Sequence, residues 1–509
     1  MSDAIAKRAG NKRANTTRNR ADSNPPSSAG VVGGKPWLWF LVLAGIFLGI
    51  ELLVPLGSAI KLGTDEDFEL SKTLLFLKGF HFYTEVWVDQ PPFYTFLLAQ
   101  IVQHTGTAIL GLRLLTVALA LLLLASLFRL CLNVGNLRTA VCAVALMIAA
   151  PGFLELASSC MIEVPTVSFV VAAFAWLSRS GWPRRPWLEV GAGILFGVAL
   201  QMKLIAMIYL PLAVFLLWLK HRLTFKQLLL SALVIGGVAG LGFVLLNALT
   251  GCSLGLQLQQ GWSSHFASTK SFEYGSPSDH AFDPRLLVRN WDVAVPAFAC
   301  AGFLLARIRS RGLMLFPLAW LALSLAIVST HRPWWACYYL HNAVPLCWCA
   351  AIAVDAALTW AGSRRARIAL VTVYLLGAVA WMGTRSYLQV MSMRQSPRLF
   401  NSPVLAQLQH YKPFTQYLFT GEEVYSFHAG IPLPPHLAEI SLKRLWSGDM
   451  TNEKIAAELA AVKPGLILVP NQSNELPYQD LLQAEYRMVY QDNDHQLYVL
   501  KSVIQQAGQ

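Results

Sequence analysis

Charged side chains are scarce in this chain. They make up 13% of its 509 residues, against 55% hydrophobic ones. Soluble domains are usually about one quarter charged, so a water-soluble globule does not account for the whole. Acids are scarcer still, 28 against 40 Lys and Arg. Alternation of apolar and polar residues is also missing from the long apolar runs that recur between Trp37 and about Thr384. Continuous runs of this kind exclude strands in lipid and demand helices, each needing roughly 20 residues to cross. No HExxH, no Walker loop and no GxGxxG in a strand–helix context is present, so nucleotide chemistry has no support. The eight cysteines include no CxxC pair. Cys131, Cys142, Cys300, Cys337, Cys347 and Cys349 lie in or beside apolar runs, where cysteine behaves as a small hydrophobe. Cys160 and Cys252 are expected outside the membrane and could pair. There is no internal repeat, and the first apolar run starts too late and runs too long for a cleavable signal peptide.

What is present is organised by charge. Lys7, Arg8, Lys12, Arg13, Arg18 and Arg20 crowd the N-terminus, followed by SNPPSSAGVVGG at 23–34. Residues 1–35 are expected to be a disordered cytoplasmic tail and a topology signal, not a nucleic-acid-binding arm. A membrane domain is expected over 36–385. Eleven spans place every strongly basic turn on one side, as the positive-inside rule requires: 36–56, 111–130, 140–153, 164–177, 187–201, 204–219, 228–249, 291–306, 313–328, 337–357 and 368–384. Outer loops then fall at 57–110, 154–163 and 250–290. The first contains a helix over 67–79, whose mixed composition predicts a position at the membrane surface, and a non-spanning helix at 92–104. From 386 to 509 polar residues return. A small soluble α/β domain is expected there, outside the membrane, with a helix at 453–461 and strands at 421–426, 465–470 and 495–501. The fold class is thus an all-α polytopic membrane domain with a small C-terminal soluble α/β domain.

The scarce acids cluster. Asp65, Glu66, Asp67, Glu69, Glu85 and Asp89 fall between Gly63 and Pro92, just past the first span. They read either as a solvated loop or as a site. Asp65 and Glu66 are adjacent and must diverge in direction, so only one works. Asp89 precedes Pro91 and Pro92, which start a helix; it is a cap or turn carboxylate, or a second acid and metal ligand beside Asp65. Glu163 opens a span, where snorkelling to headgroups is the plain explanation; Glu155 competes with it for a role at the site. Glu51 reads as a paired structural acid. Lys203, within LQMKLIAMIYLP, is expensive in an apolar stretch unless it meets an anion, and a lipid phosphate is the natural one. His265 and Lys270 in the long outer loop could contact phosphate or metal, or neither. In STHRPWWACYYLHNAVP at 329–345, Trp334 and Trp335 suit an interfacial aromatic belt, and Arg332 could hold a phosphate bidentately.

Six segments then line up with a known pattern: TDEDFEL at 64–70, VDQPPFY at 88–94, GLRLLT at 111–116, MIEVP at 161–165, GVALQMKLIAMIYLP at 197–211 and CYYLHNAVP at 337–345. Their order and spacing resemble the GT-C membrane glycosyltransferases, specifically the dolichyl-phosphate-mannose–protein mannosyltransferase family. That family includes bacterial relatives that move aminoarabinose from undecaprenyl phosphate to lipid A. The resemblance spans roughly 36–350. It implies inverting transfer of a sugar from a polyprenyl-phosphate donor to an acceptor at the outer face of a membrane, by a monomer in a bacterial inner membrane with its C-terminal domain periplasmic. It casts Asp65, or its neighbour Glu66, as the catalytic base. It places Lys203 and Tyr338 at the donor phosphate with His265 near it, and Asp89 and Glu163 as further acids shaping the site; Arg332 joins the phosphate set on its own chemistry. A divalent metal would fall to Asp65, Asp89 and His265. The sequence departs from the pattern at Gln90, where some relatives have a lysine, at Gln201 and Met202, and at His341, which replaces a proline; these leave the sugar and acceptor open. The alternatives are a transporter or flippase of a lipid-linked anion, which would need more ionisable residues deep in the spans, and a non-catalytic binding role.

Overall fold

A computed structural model describes residues 35–106, 109–179, 185–266, 281–306, 312–361, 364–471 and 476–508, without the side chains of 262–266 and 303–306. The expected N-terminal tail lies outside them. Five helices are long and apolar enough to cross a membrane: Ile109–Val134, Leu204–His221, Phe225–Thr250, Ala336–Ala361 and Arg365–Arg394. Six shorter apolar helices occupy the other places expected of spans: Pro36–Glu51, Leu137–Ile148, Glu163–Leu177, Pro186–Met202, Trp291–Gly302 and Gly312–Val328. These fall short of the length a span needs by itself. Leu229, Leu233, Leu241 and Leu245 on Phe225–Thr250 and Leu370, Val373 and Leu376 on Arg365–Arg394 are exposed. Outward leucine on a helix this apolar suits hydrocarbon rather than water.

Helix crossings in the bundle use small residues. A Cβ on Gly197 would come within 3.0 Å of the Ala239 carbonyl oxygen, so Pro186–Met202 and Phe225–Thr250 touch backbone to backbone. That contact fixes the end of the first helix, and Lys203 follows it directly in extended conformation.

The 92–104 helix is found as Phe93–Thr105. The helix expected at the membrane surface is found as Glu66–Leu77, but nine of its 12 residues are buried. Its apolar side, Leu70 and Leu74, joins Tyr94 and Leu98 in one core with Leu418, Leu466 and Leu497 of the C-terminal region. The C-terminal region covers this helix, so its residues are packed against protein.

The C-terminal region forms a four-stranded sheet of β1 (Leu418–Thr420), β2 (Leu466–Pro470), β3 (Tyr486–Gln491) and β4 (His495–Leu500), in the order β1-β2-β4-β3. β1 and β2 run parallel; the other pairs are antiparallel. Side chains alternate as a strand requires. Leu466 and Leu468 face the core shared with the first outer loop, whereas Ile467 and Val469 face a second core with Ile455 and Leu459 of the Asn452–Val462 helix. The strand expected at 421–426 is displaced: β1 ends at Thr420, and Val424–Ala429 is helical. β3 was not expected, because its polar residues hide the period. Backbone bonds seam the region to the first loop, Ile60 N to Pro397 O at 2.8 Å and Leu399 N to Ser58 O at 2.8 Å. Cys160 and Cys252 are both free thiols, not a disulfide.

Candidate active site

The acidic pair after the first helix divides. Glu66 is fully buried and accepts from Arg113 Nε at 2.9 Å and Nη2 at 2.8 Å. It also accepts from the backbone of Leu62 at 2.8 Å and of Cys160 at 3.0 Å. Burial works against its charge, but the Arg113 guanidinium and these bonds outweigh it and hold Glu66 below the usual carboxylate range. Arg113, from GLRLLT, spends its remaining donors on the carbonyls of Leu56, Ala59 and Ile60 at 2.8, 3.0 and 3.4 Å. With each oxygen accepting two hydrogen bonds, Glu66, the alternative candidate for the catalytic base, pins the loop and is absent from the cavity that Asp65 lines.

Asp65 turns the other way. It caps the Glu66–Leu77 helix without a side-chain capping bond and lines a cavity of about 290 Å³. Burial, and next the Glu163 carboxylate, push its pKa up to about 6, with Lys203 pulling the other way. Close packing holds it there. A Cβ on Gly63 would lie 2.5 Å from Ser159 Oγ and 2.6 Å from Met161 Sδ, so only glycine lets the loop pass.

The same cavity is lined by Glu163, Lys203, Tyr338 and Asp89. These residues come from places up to 273 positions apart in the chain, from Asp65 to Tyr338. Lys203 Nζ lies 2.5 Å from Glu163 Oε1 and 4.5 Å from the centre of the Tyr338 ring. The lysine thus meets a protein anion and an aromatic face, which meets the cost of placing it among apolar residues. Glu163 is buried rather than snorkelling, and its second oxygen, Oε2, has no hydrogen-bond partner.

Other expectations fall elsewhere. Arg332 is exposed and donates to the carbonyls of Ser329 and His331, away from the cavity lining. The side chain of His265 and all of Lys270 lie outside the described residues. Glu155 borders a second cleft with Lys61, Gly63 and Thr64. Glu51 is buried and accepts from Ser158 Oγ at 2.6 Å, as a structural acid.

Of the metal set expected from Asp65, Asp89 and His265, the two aspartates line one cavity and the side chain of His265 lies outside the described residues. Asp89 is held by Lys443 at 2.8 Å. Among the described residues, Asp65, Glu163 and Cys337 offer ligand atoms within 4.8 Å of one another. Two carboxylates and a sulfur fit a borderline divalent cation.

The far wall carries residues without any signal in the sequence. Glu439, Ser441 and Lys443 come from the C-terminal region, and Lys72 from the buried helix. Lys72 Nζ lies 2.6 Å from Glu69 and 3.9 Å from Glu439. Burial pushes Glu439 up to about 8. Lys72 has its partner one turn away in the sequence, Glu69, and so reads as an ordinary helix ion pair.

Comparison with known proteins agrees with this architecture. Residues 89–245 match the Dolichyl-phosphate-mannose-protein mannosyltransferase family. No curated protein matches. Among solved structures, ArnT from Cupriavidus metallidurans bound to undecaprenyl phosphate superposes with a TM-score of 0.62 at 13% identity, over 91% of this chain and 98% of that one. The Archaeoglobus fulgidus oligosaccharyltransferase in the apo form gives 0.57 at 14% identity, over 86% of this chain and 70% of that one. The same oligosaccharyltransferase in complex with Zn and sulfate gives 0.57 at 13% identity, over 91% and 73%. The chain therefore has the fold of the GT-C membrane glycosyltransferases, and across residues 89–245 it carries the sequence pattern of their dolichyl-phosphate-mannose-protein mannosyltransferase family.

Proposed function

We propose that the protein is an inverting glycosyltransferase that moves a sugar from a polyprenyl-phosphate donor to an acceptor at the outer face of a membrane. The observation that carries this reading is the shared cavity of Asp65 and Lys203, a carboxylate of raised pKa and an ammonium placed to meet a phosphate. A base works best when its pKa lies near the working pH, and about 6 is closer to that than an ordinary aspartate.

The step is a single displacement. The acceptor hydroxyl or amine gives its proton to an Asp65 oxygen as its heteroatom bonds to the anomeric carbon. The bond from that carbon to the phosphate oxygen breaks, and its electron pair stays on the phosphate. Lys203 and the Tyr338 hydroxyl receive the added negative charge. Attack opposite the leaving group inverts the anomeric centre. The products are a glycosylated acceptor and polyprenyl phosphate, and the proton on Asp65 passes to solvent. A divalent cation held by Asp65, Glu163 and Cys337 would add positive charge beside the phosphate.

The fold supports two approaches. The cleft of about 940 Å³ beside Lys61, Gly63 and Thr64 lies across the loop from the first cavity and suits the acceptor. In this reading the eleven apolar helices all cross, in a bacterial inner membrane. The N-terminus is cytoplasmic, the C-terminal domain periplasmic, and the monomer is the working unit. The test is direct: purified protein incubated with radiolabelled polyprenyl-phosphate sugars releases free polyprenyl phosphate. Donor moved across a bilayer without release of polyprenyl phosphate would replace this reading with a transporter.

A further inference from the structure

Three lysines, Lys72, Lys203 and Lys443, line the cavity among five carboxylates, and they come from three different parts of the chain. Lys203 stands on the wall formed where Pro186–Met202 ends. Lys443 stands on another, in the short Leu442–Trp446 helix of the C-terminal region. Its ammonium is held at 2.8 Å by Asp89 of the first outer loop, with both side chains almost fully buried, at 11% and 7% exposed. It lies within electrostatic reach of Lys203 and of Tyr338. A structural ion pair between two segments has no need to open onto a cavity that already holds a lysine and a tyrosine. Each ammonium already holds one carboxylate, Lys203 with Glu163 and Lys443 with Asp89, and keeps further donors for an anion that enters the space they share.

We propose that Lys443 is a second phosphate-binding residue, supplied by the C-terminal domain, and that Asp89 is the positioning residue that holds it. This rests on the glycosyl-transfer reading above. The chemistry assigns it a specific task. A polyprenyl-phosphate sugar is a phosphodiester with one negative charge. When the sugar leaves, the phosphate becomes a monoester that gains a second. A second ammonium therefore attracts the departing phosphate more than the intact donor, and interactions that strengthen along the reaction raise kcat rather than lower KM. The covering domain then completes the site from above. This explains why the helix beneath it, Glu66–Leu77, is buried against that domain rather than lying on lipid.

The experiment measures binding of undecaprenyl phosphate to the purified full chain in nanodiscs. The wild type binds. Lys443→Gln weakens binding roughly tenfold or more, the scale of one lost charged hydrogen bond, and Lys443→Arg retains most of it. A lysine that merely neutralises Asp89 would behave differently, because removing both charges would restore binding. The double variant Asp89→Asn/Lys443→Gln is expected to stay weak, and its turnover to lose more in kcat than in KM. Wild-type-like binding by Lys443→Gln, or rescue by the double variant, overturns the assignment and leaves the transferase reading in place. A wild type that binds no undecaprenyl phosphate overturns both.

Discussion

Glu66 and Asp65 are neighbours with opposite fates: Glu66 gives both oxygens to Arg113, at 2.9 and 2.8 Å, while Asp65 faces the cavity. One charge locks the loop, and the lock aims the other. Replacing each should separate the two roles. Asp65→Asn is expected to lower transfer by roughly 10²–10⁴-fold, the scale of general base catalysis, with insertion and folding intact. Glu66→Gln leaves the Arg113 guanidinium buried without a countercharge and is expected to cost about 3–5 kcal/mol of stability, read as a lower melting temperature. Retained transfer by Asp65→Asn would remove it from its role.

The raised pKa of Asp65 sets a pH dependence. A base acts as the carboxylate, so transfer should rise with pH and level off above about 6. Stability runs the other way. The folded value, about 6, exceeds the ordinary 3.8, so stability falls as pH rises between them. Asp65→Asn should lose both slopes and be at least as stable as wild type at neutral pH. Transfer rates and melting temperatures between pH 4 and pH 8 check both signs.

The pair of Lys203 and Glu163 invites a double-mutant cycle. Lys203→Met leaves the fully buried Glu163 unpaired, and should lower both transfer and stability. Adding Glu163→Gln removes the stranded charge and should recover the melting temperature. Transfer should stay low, because the phosphate still lacks its cation. Recovery of transfer would show that Lys203 served only Glu163.

Gly63 is a steric test. Its Cβ would lie 2.5 Å from Ser159 Oγ, so Gly63→Ala must shift the loop that carries Asp65. Overpacking typically costs about 1–3 kcal/mol, and transfer should fall beyond what the stability loss explains. Melting curves and initial rates on the same preparation separate the two effects.

Orientation is checked by labelling. Cysteine at Ser502, exposed in the C-terminal helix, should react with an impermeant maleimide in intact cells. Cysteine at Lys226, exposed in the first turn of the Phe225–Thr250 helix, should react only after permeabilisation. The reverse pattern would invert the topology.

The sequence made the membrane domain legible because apolar runs and basic turns are local signals. Asp65, Asp89, Glu163, Lys203 and Tyr338 were legible because a carboxylate or ammonium beside an apolar span stands out, and because they fit a known pattern. All five line one cavity. Which of Asp65 and Glu66 faces the cavity was not legible, because the partner that takes Glu66, Arg113, lies 47 residues away. Lys443 and Glu439 were invisible. Their segment, SLKRLW and its approach, reads as ordinary soluble surface, and only the docking of the sheet onto the first loop turns it into the wall of the site. β3 escaped notice because its burial does not alternate: Arg487 and Met488, adjacent in the strand, are both exposed.

A density map of the protein with undecaprenyl phosphate bound tests the central claim most directly. The account predicts the phosphate inside the cavity, against Lys203 and Tyr338 and open to Asp65. A phosphate bound against other residues, with Asp65 and Lys203 both out of reach, would contradict it.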